Sequence, residues 1–263
     1  YKFKKVGHSG TLDPNADGLM LLATNGYTKL FDYIAHTNKA YKVTAILGYS
    51  SPTLDVDSEL TFHESIDAKN FSYDIKKFLT NLLGESIQTP PIYSAVKVKG
   101  KRLYKYARKA EEVDIPTRTI KVDKTELTSL EDNKVTFEIT VSKGTYIRSI
   151  VEDLGEFLNT KAVVESLTRT AIGNLKINHK KLNKNIQNMD YKTNLHKLDW
   201  REVIDLPIVE LDEDMIDVIK NGQLLSNDIF INKEKYILSI NNEISAIYKP
   251  FNENNFKPDK VLI

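Results

Sequence analysis

Between Asp67 and Gly84 the apolar residues Phe71, Ile75, Phe78, Leu79 and Leu82 recur at helical spacing, which predicts a helix stopped by Gly84. Farther along, Val135, Phe137, Ile139 and Val141 alternate with Thr136, Glu138 and Thr140, the pattern of a strand with one face on a core. The period then changes. Ile147, Ile150, Val151, Leu154, Phe157 and Leu158 follow helical spacing, so Ser142-Lys143-Gly144-Thr145 reads as a strand-to-helix turn, a position that ligand sites favour. Residues 26–36 read as a short helix and 41–48 as a strand rich in β-branched residues. Residues 176–198 are rich in Lys and Asn with weak periodicity and mark a domain boundary. In the tail, Asp212 is placed to cap a helix carrying Leu211, Met215, Val218 and Ile219 and ending near Gly222. Residues 228–232, 234–240 and 243–249 read as strands, with Asn241-Asn242 turning the last hairpin. No repeat at solenoid spacing is present.

The chain has 263 residues, enough for one large core or a main domain with a small companion, and its 41% hydrophobic and 28% charged residues are those of a soluble globular protein. No apolar run reaches the length of a membrane span, and the N-terminus lacks a signal-peptide pattern, so the cytoplasm is the expected location. The absence of cysteine removes disulfides, thiolate metal sites and thiol nucleophiles together. A net charge of +1 carries no global sign of a nucleic-acid partner, so local clustering has to supply one.

Gly7-His8-Ser9-Gly10-Thr11-Leu12-Asp13-Pro14-Asn15-Ala16-Asp17-Gly18 is a shaped loop. Its glycines reach backbone angles that other residues rarely adopt, and Pro14 biases Asp13 toward an extended conformation, so the Asp13 carboxylate has a fixed direction. Read alone, Asp-Pro-Asn is also an ordinary turn. Other chemistries fail on spacing. Gly7-His8-Ser9-Gly10 lacks the residue a nucleophile elbow needs, and no phosphate loop, dinucleotide fingerprint or H-E-x-x-H pair is present. Asp55-Val56-Asp57-Ser58-Glu59-Leu60 begins like a calcium loop without the glycine at its sixth position, so no metal or nucleotide cofactor is expected.

From Lys97 to Lys109 the chain holds seven basic residues in thirteen and no acid, with Tyr104 and Tyr106 among them; Glu111, Glu112 and Asp114 follow at once. A focused basic patch with aromatic rings suits phosphates and stacked bases, and a solvated helix face is the alternative. Arg148 either pairs with Glu152 one turn along its helix or faces Asp13. Read alone, Tyr41 and Tyr146 are core aromatics, Leu167 is a core leucine, and His8 is a loop hydrogen-bonder.

Taken together, Gly-His-Ser-Gly-Thr-Leu-Asp-Pro, Lys39-Ala-Tyr41-Lys-Val, the stretch from Pro90-Pro91 to Arg108, and Ser142-Lys-Gly-Thr-Tyr-Ile-Arg148 resemble the TruB family of tRNA pseudouridine synthases, stand-alone bacterial type. The resemblance covers roughly 1–175 strongly and the tail loosely. It implies an α+β fold, with a catalytic domain over 1–176 around a mixed, largely antiparallel sheet, a linker over 177–198, and a small PUA-like RNA-binding domain over 199–263. The segment 89–117 would be an insertion gripping the T-stem loop.

The implied activity is conversion of the T-arm uridine at tRNA position 55 to pseudouridine, without cofactor, metal, guide RNA or membrane, by a monomer. Asp13 matches the essential aspartate, Arg148 its arginine partner, and His8 the histidine that helps hold the displaced loop base. Tyr41 matches the tyrosine that stacks on the target ring, and Tyr146 and Leu167 match uracil-pocket residues. The expected RNA contacts are Lys97, Lys99, Lys101, Arg102, Lys105, Arg108 and Arg169. Two departures stand out. The chain opens without the family's upstream Lys-Pro-x-Gly element and so looks truncated, and Asp17 stands where Thr or Ser is more usual and is expected to face solvent. The competing readings are a non-catalytic tRNA-binding or folding protein and a retaining glycosidase pairing Asp13 with Asp17 or Asp57.

Overall fold

The computed structural model describes residues 3–34, 38–177 and 198–263. Contacts divide the chain into two compact units. One comprises Thr11–Leu19 and His36–Ile177; the other unites Tyr1–Gly10, Met20–Ala35 and Asn178–Ile263, within the described residues of each. Of the segment expected as a linker, residues 178–197 lie outside the described residues.

The first unit is built on a seven-stranded mixed sheet. Its path runs Leu175–Lys176, Ala162–Ile172, Lys39–Leu47, Lys134–Val141, Arg118–Glu131 and Gly84–Gln88, and Ala16–Gly18 adds to the Ala162–Ile172 strand. All neighbours pair antiparallel except Ala16–Gly18, which is parallel with Ala16 opposite Leu167 and Gly18 opposite Arg169. Val43, Ala45 and Leu47 from the central strand and Phe137, Ile139 and Val141 from its neighbour share one face, as period-two alternation requires. Ile147, Ile150, Val151 and Leu154 of the Ile147–Phe157 helix and Ile75, Phe78 and Leu79 of the Ser72–Asn81 helix complete that core. Each such side chain contributes about 1.5–3 kcal/mol on burial.

The helix expected over Asp67–Gly84 starts where Asp67 accepts the Lys69 N–H at 3.0 Å and runs as a 3-10 turn into Ser72–Asn81. Gly84 opens an edge strand rather than only stopping the helix. The strands Arg118–Glu131 and Ala162–Ile172 carry no clean alternation in the sequence. The first is bulged twice, and the second turns Arg169 and Thr168 onto a sheet that tertiary packing covers.

In the second unit a five-stranded sheet runs Ile208–Glu210, Tyr236–Ile240, Glu243–Pro250, Asn255–Val261 and Leu225–Ser226. Phe230 stacks on Phe256 with ring centroids 3.9 Å apart, and Tyr236 closes the cluster. Asn241 and Asn242 both take positive φ, 53° and 62°, so the expected hairpin turn is of the primed kind that suits strand twist. This β-rich sheet is the PUA-like unit that was expected.

Two details of the tail differ from the sequence reading. Residues 228–232 are not a strand. Asn227–Ile229 is a 3-10 turn, because the Ser226 hydroxyl accepts the Asp228 N–H and diverts the backbone from a ladder. Asp212 occupies the N-cap position of the next turn but makes no side-chain capping bond. Residues 26–36, expected as one helix, form a 3-10 turn over Asn25–Leu30 followed by Phe31–Ile34, with 35–36 outside the described residues. This segment docks on the last strand of its own unit, where Tyr33 donates to Asp259 and Lys260 pairs with Asp32.

Candidate active site

The loop after Gly10 folds back because Asp13, Pro14, Asn15 and Ala16 make a turn: the Ala16 N–H donates to the Asp13 carbonyl at 2.9 Å. Asn15 Nδ2 anchors the turn to the Glu165 carbonyl at 3.0 Å. Ala16–Gly18 then joins the sheet beside Leu167. Gly18 is obligatory there, since its φ is +102° and a β-carbon would stand 2.4 Å from the Arg169 carbonyl oxygen. The loop is thus fastened immediately after Asp13, by Asn15 and by the Ala16–Gly18 pairing.

Arg148 comes from the first turn of the Ile147–Phe157 helix. Its Nε donates to Asp13 Oδ2 at 2.8 Å, one terminal nitrogen to the Thr53 carbonyl at 2.7 Å, and the other to the Tyr93 carbonyl at 3.2 Å. The guanidinium side chain is 6% exposed and the Asp13 side chain 38%, so a buried cation presents a carboxylate that is open to a ligand. The i, i+4 alternative with Glu152 is therefore not the pairing adopted. Asp13, Asn15, Ala16, Asp55, Arg148, Val164 and Leu167 line one small cleft.

Asp55 is a residue that the sequence reading missed, having considered it only as the start of a calcium loop. It is buried, its Oδ2 lies 3.7 Å from Arg148, and its Oδ1 accepts the Asp57 N–H at 3.1 Å and the Thr53 hydroxyl at 2.5 Å. Arg148 thus sits between two carboxylates, one buried and one open. Nothing local in Asp-Val-Asp marked Asp55, because its burial comes from the Val164 strand, to which residue 55 bridges.

Tyr41 stands opposite Arg169 in the sheet and hydrogen-bonds with it. Burial pushes the phenol above its ordinary value, Arg169 opposes that by charge and hydrogen bond, and the Asp13 charge adds to it. Tyr41 is therefore within electrostatic reach of Asp13. Tyr146 is held through its backbone by Gln88, a second residue the sequence reading passed over. Gln88 Oε1 accepts the Tyr146 N–H at 2.8 Å and its Nε2 donates to the Tyr146 carbonyl at 3.0 Å. The Arg118 guanidinium lies over the Tyr146 ring, 5.3 Å from its centroid. A signal for Gln88 was present in its place before Thr89-Pro90-Pro91, where only an edge strand can end.

Arg169 corrects an expectation. It was placed among the RNA contacts, but it is 1% exposed with Nε on the Leu19 carbonyl at 2.6 Å, so it supports Tyr41 and the loop from beneath. His8 lies in the other compact unit, where its Nδ1 accepts the Gly10 N–H at 3.3 Å. Asp17 is exposed, as expected, and Asp57 is exposed too, so neither acid that a glycosidase would set against Asp13 lines the cleft.

In the basic segment, Lys97–Val98 and Lys101–Arg102 form a hairpin turned by Lys99 and Gly100, both at positive φ, and Leu103–Ala107 is a short helix anchored by buried Leu103. Lys97, Lys99, Arg102, Lys105 and Arg108 are exposed. Lys101 is engaged instead, paired with Glu111 and 4.1 Å from the Tyr106 ring centroid. The Tyr106 hydroxyl donates to the Val98 carbonyl, so this ring braces the hairpin.

The description "TruB family pseudouridylate synthase (N terminal domain)" matches residues 1–147. The chain belongs to the TruB family. Relatives named tRNA pseudouridine synthase B are 35% identical over 94% of this chain and 81% of the protein from Mycoplasmopsis pulmonis, and 37% identical over 97% and 87% for Mesoplasma florum. The chain is thus related to TruB enzymes over nearly its whole length. A solved structure titled "Crystal Structure of a Cbf5-Nop10-Gar1 Complex" shares the fold with a TM-score of 0.65 at 21% identity, covering 99% of this chain and 77% of that one. Among the described residues of this TruB member, no helix is long and apolar enough to cross a membrane.

Proposed function

We propose that this chain converts uridine 55 in the tRNA T-arm to pseudouridine, with Asp13 as the catalytic carboxylate. The observation that carries the reading is the 2.8 Å bond from buried Arg148 to Asp13, which aims one carboxylate into a cleft walled by Leu167 and Val164. The relatives' name, tRNA pseudouridine synthase B, supplies the substrate class.

The reaction breaks N1–C1′, turns the uracil, forms C5–C1′ and moves the C5 proton to N1; atoms and electrons balance without an added reagent. With Oδ2 held by Arg148, Oδ1 is the oxygen that meets the ribose. It acts either as a nucleophile on C1′ or as a base on a sugar proton that opens a glycal route. Tyr41 stacks on the uracil, Tyr146 and Leu167 close the pocket, and His8 helps hold the displaced loop base. A base inside a folded loop must be flipped out at a cost of a few kcal/mol. Contacts from the 89–117 segment, through Lys97, Lys99, Arg102, Lys105 and Arg108, offset it. In this reading the enzyme works in the cytoplasm as a monomer on tRNA directly, without guide RNA.

The test is mass spectrometry of pseudouridine in an unmodified T-arm hairpin. The wild-type chain forms it; Asp13→Asn binds the hairpin comparably and forms none. Normal turnover by Asp13→Asn defeats the mechanism. Tight binding by a wild-type chain that makes no pseudouridine leaves a tRNA-binding or folding protein instead.

A further inference from the structure

Two residues that face each other at the edge of the seven-stranded sheet both reach Tyr146. Arg118 stands opposite Gln88 in the antiparallel pairing of Arg118–Glu131 with Gly84–Gln88, so the two side chains lie on one face. Gln88 holds the Tyr146 backbone. Arg118 takes the ring: its guanidinium carbon is 5.3 Å from the ring centroid, and its Nη1 donates to the Gly144 carbonyl at 3.2 Å. The seat is close. Gly144 has a φ of +88°, and a β-carbon there would stand 3.1 Å from Arg118 Nη1.

The Arg118 Nε is buried and, among the described residues, has no hydrogen-bond partner. A buried donor left unpaired costs stability, and a methionine would fill much of the same space without that cost. Stability alone therefore does not account for an arginine here. What a guanidinium supplies is a flat cation over an aromatic face together with a terminal nitrogen that fixes a backbone carbonyl. Both contacts fall within Gly144 to Tyr146, so together they set where the ring points.

We propose that Arg118 is a positioning residue that fixes the Tyr146 ring for the flipped uracil, acting through that ring rather than on the base. The role rests on the reading of Tyr146 as a wall of the uracil pocket and adds to it what holds the wall in place. Its loss slows turnover with little loss of RNA affinity, because the phosphate contacts belong to the exposed cations of the 89–117 segment.

The experiment measures single-turnover pseudouridine formation, hairpin Kd and thermal unfolding for the full chain and for Arg118→Met, Arg118→Lys, Tyr146→Leu and the double variant. For Arg118→Met the rate is expected to fall about tenfold while Kd stays within about twofold, with Arg118→Lys between it and wild type. Its melting temperature is expected at or above wild type, since the unpaired donor is gone. Without the ring the cation has nothing to hold, so Arg118→Met is expected to cost less than about twofold in the Tyr146→Leu background. An unchanged Arg118→Met rate overturns the role, and so does a full loss in the Tyr146→Leu background. A destabilised or misfolded Arg118→Met overturns it too, because an arginine kept for stability behaves that way. If Tyr146→Leu forms no measurable product, the rate, Kd and melting temperature of Arg118→Met decide alone. A wild-type chain that forms no pseudouridine defeats the underlying reading of the site, an outcome the wild-type control shows before any variant is compared, and the role falls with it.

Discussion

Arg148 and Asp13 are 135 residues apart in the chain, yet the guanidinium Nε stands 2.8 Å from the carboxylate, with its two other arms on the carbonyls of Thr53 and Tyr93. A single planar group therefore joins the Asp13 loop, the Asp55 loop and the segment after Pro90-Pro91. A lysine cannot replace it, since one ammonium on a flexible stem does not span three fixed acceptors. Arg148→Lys is expected to lower kcat/KM at least a hundredfold, about 2.7 kcal/mol of transition-state stabilisation. Unfolding in urea should show a loss of about 2–4 kcal/mol, because buried acceptors are left unpaired. Activity within a few fold of wild type would contradict the role.

Gln88 acts on the site only through the Tyr146 backbone. Gln88→Leu removes both bonds and leaves the part-buried Tyr146 N–H unpaired, its carbonyl keeping only the Ile150 N–H, a cost of about 1–3 kcal/mol. With Tyr146 and Arg148 displaced together, kcat should fall by tenfold or more while KM for the hairpin changes little. Gln88→Glu keeps the acceptor but turns an oxygen toward the Tyr146 carbonyl, and should lie between. Equal losses in kcat and in hairpin affinity would point to general unfolding instead.

Gly18 tests how the loop is fastened. Gly18→Ala combines a φ of +102° with a β-carbon 2.4 Å from the Arg169 carbonyl, and backbone on both sides cannot yield cheaply. The expected result is a loss of about 3 kcal/mol or more in thermal or urea unfolding, with loss of pseudouridine formation even at temperatures where the chain stays folded. Unaltered stability would show that the Ala16–Gly18 pairing is loose in solution.

Asp153, on the outer face of the helix that carries Arg148, is pushed up to about 6 by partial desolvation and by repulsion from Glu156. A raised carboxyl costs the fold stability once the unfolded chain ionises, so the penalty is absent below about pH 4, grows between about 4 and 6, and is complete at 7. Asp153→Asn should therefore be more stable at pH 7 by under about 1 kcal/mol, solvent screening of an exposed group reducing the gain, and equal to wild type at pH 3.5. A gain that persists at pH 3.5 would assign it to packing.

The local pattern carried much of this protein. The helix over Ser72–Asn81, the strand over Lys134–Val141, the helix after Thr145 and the Asn241-Asn242 hairpin all follow from residues a few positions apart, because spacing and turn chemistry are local quantities. Motif order likewise marked the family and singled out Asp13 and Arg148. What the sequence could not decide was partnership. Arg148 had Glu152 one turn away, and only the strand order that lays Ala16–Gly18 beside Leu167 brings Asp13 to it instead. The same long-range pairing buries Arg169, which composition places on a surface, and draws Asp55 beneath the guanidinium. Burial and charge pairing depend on which distant segments share a sheet, and that is settled by the packing of the whole core rather than by any stretch of chain.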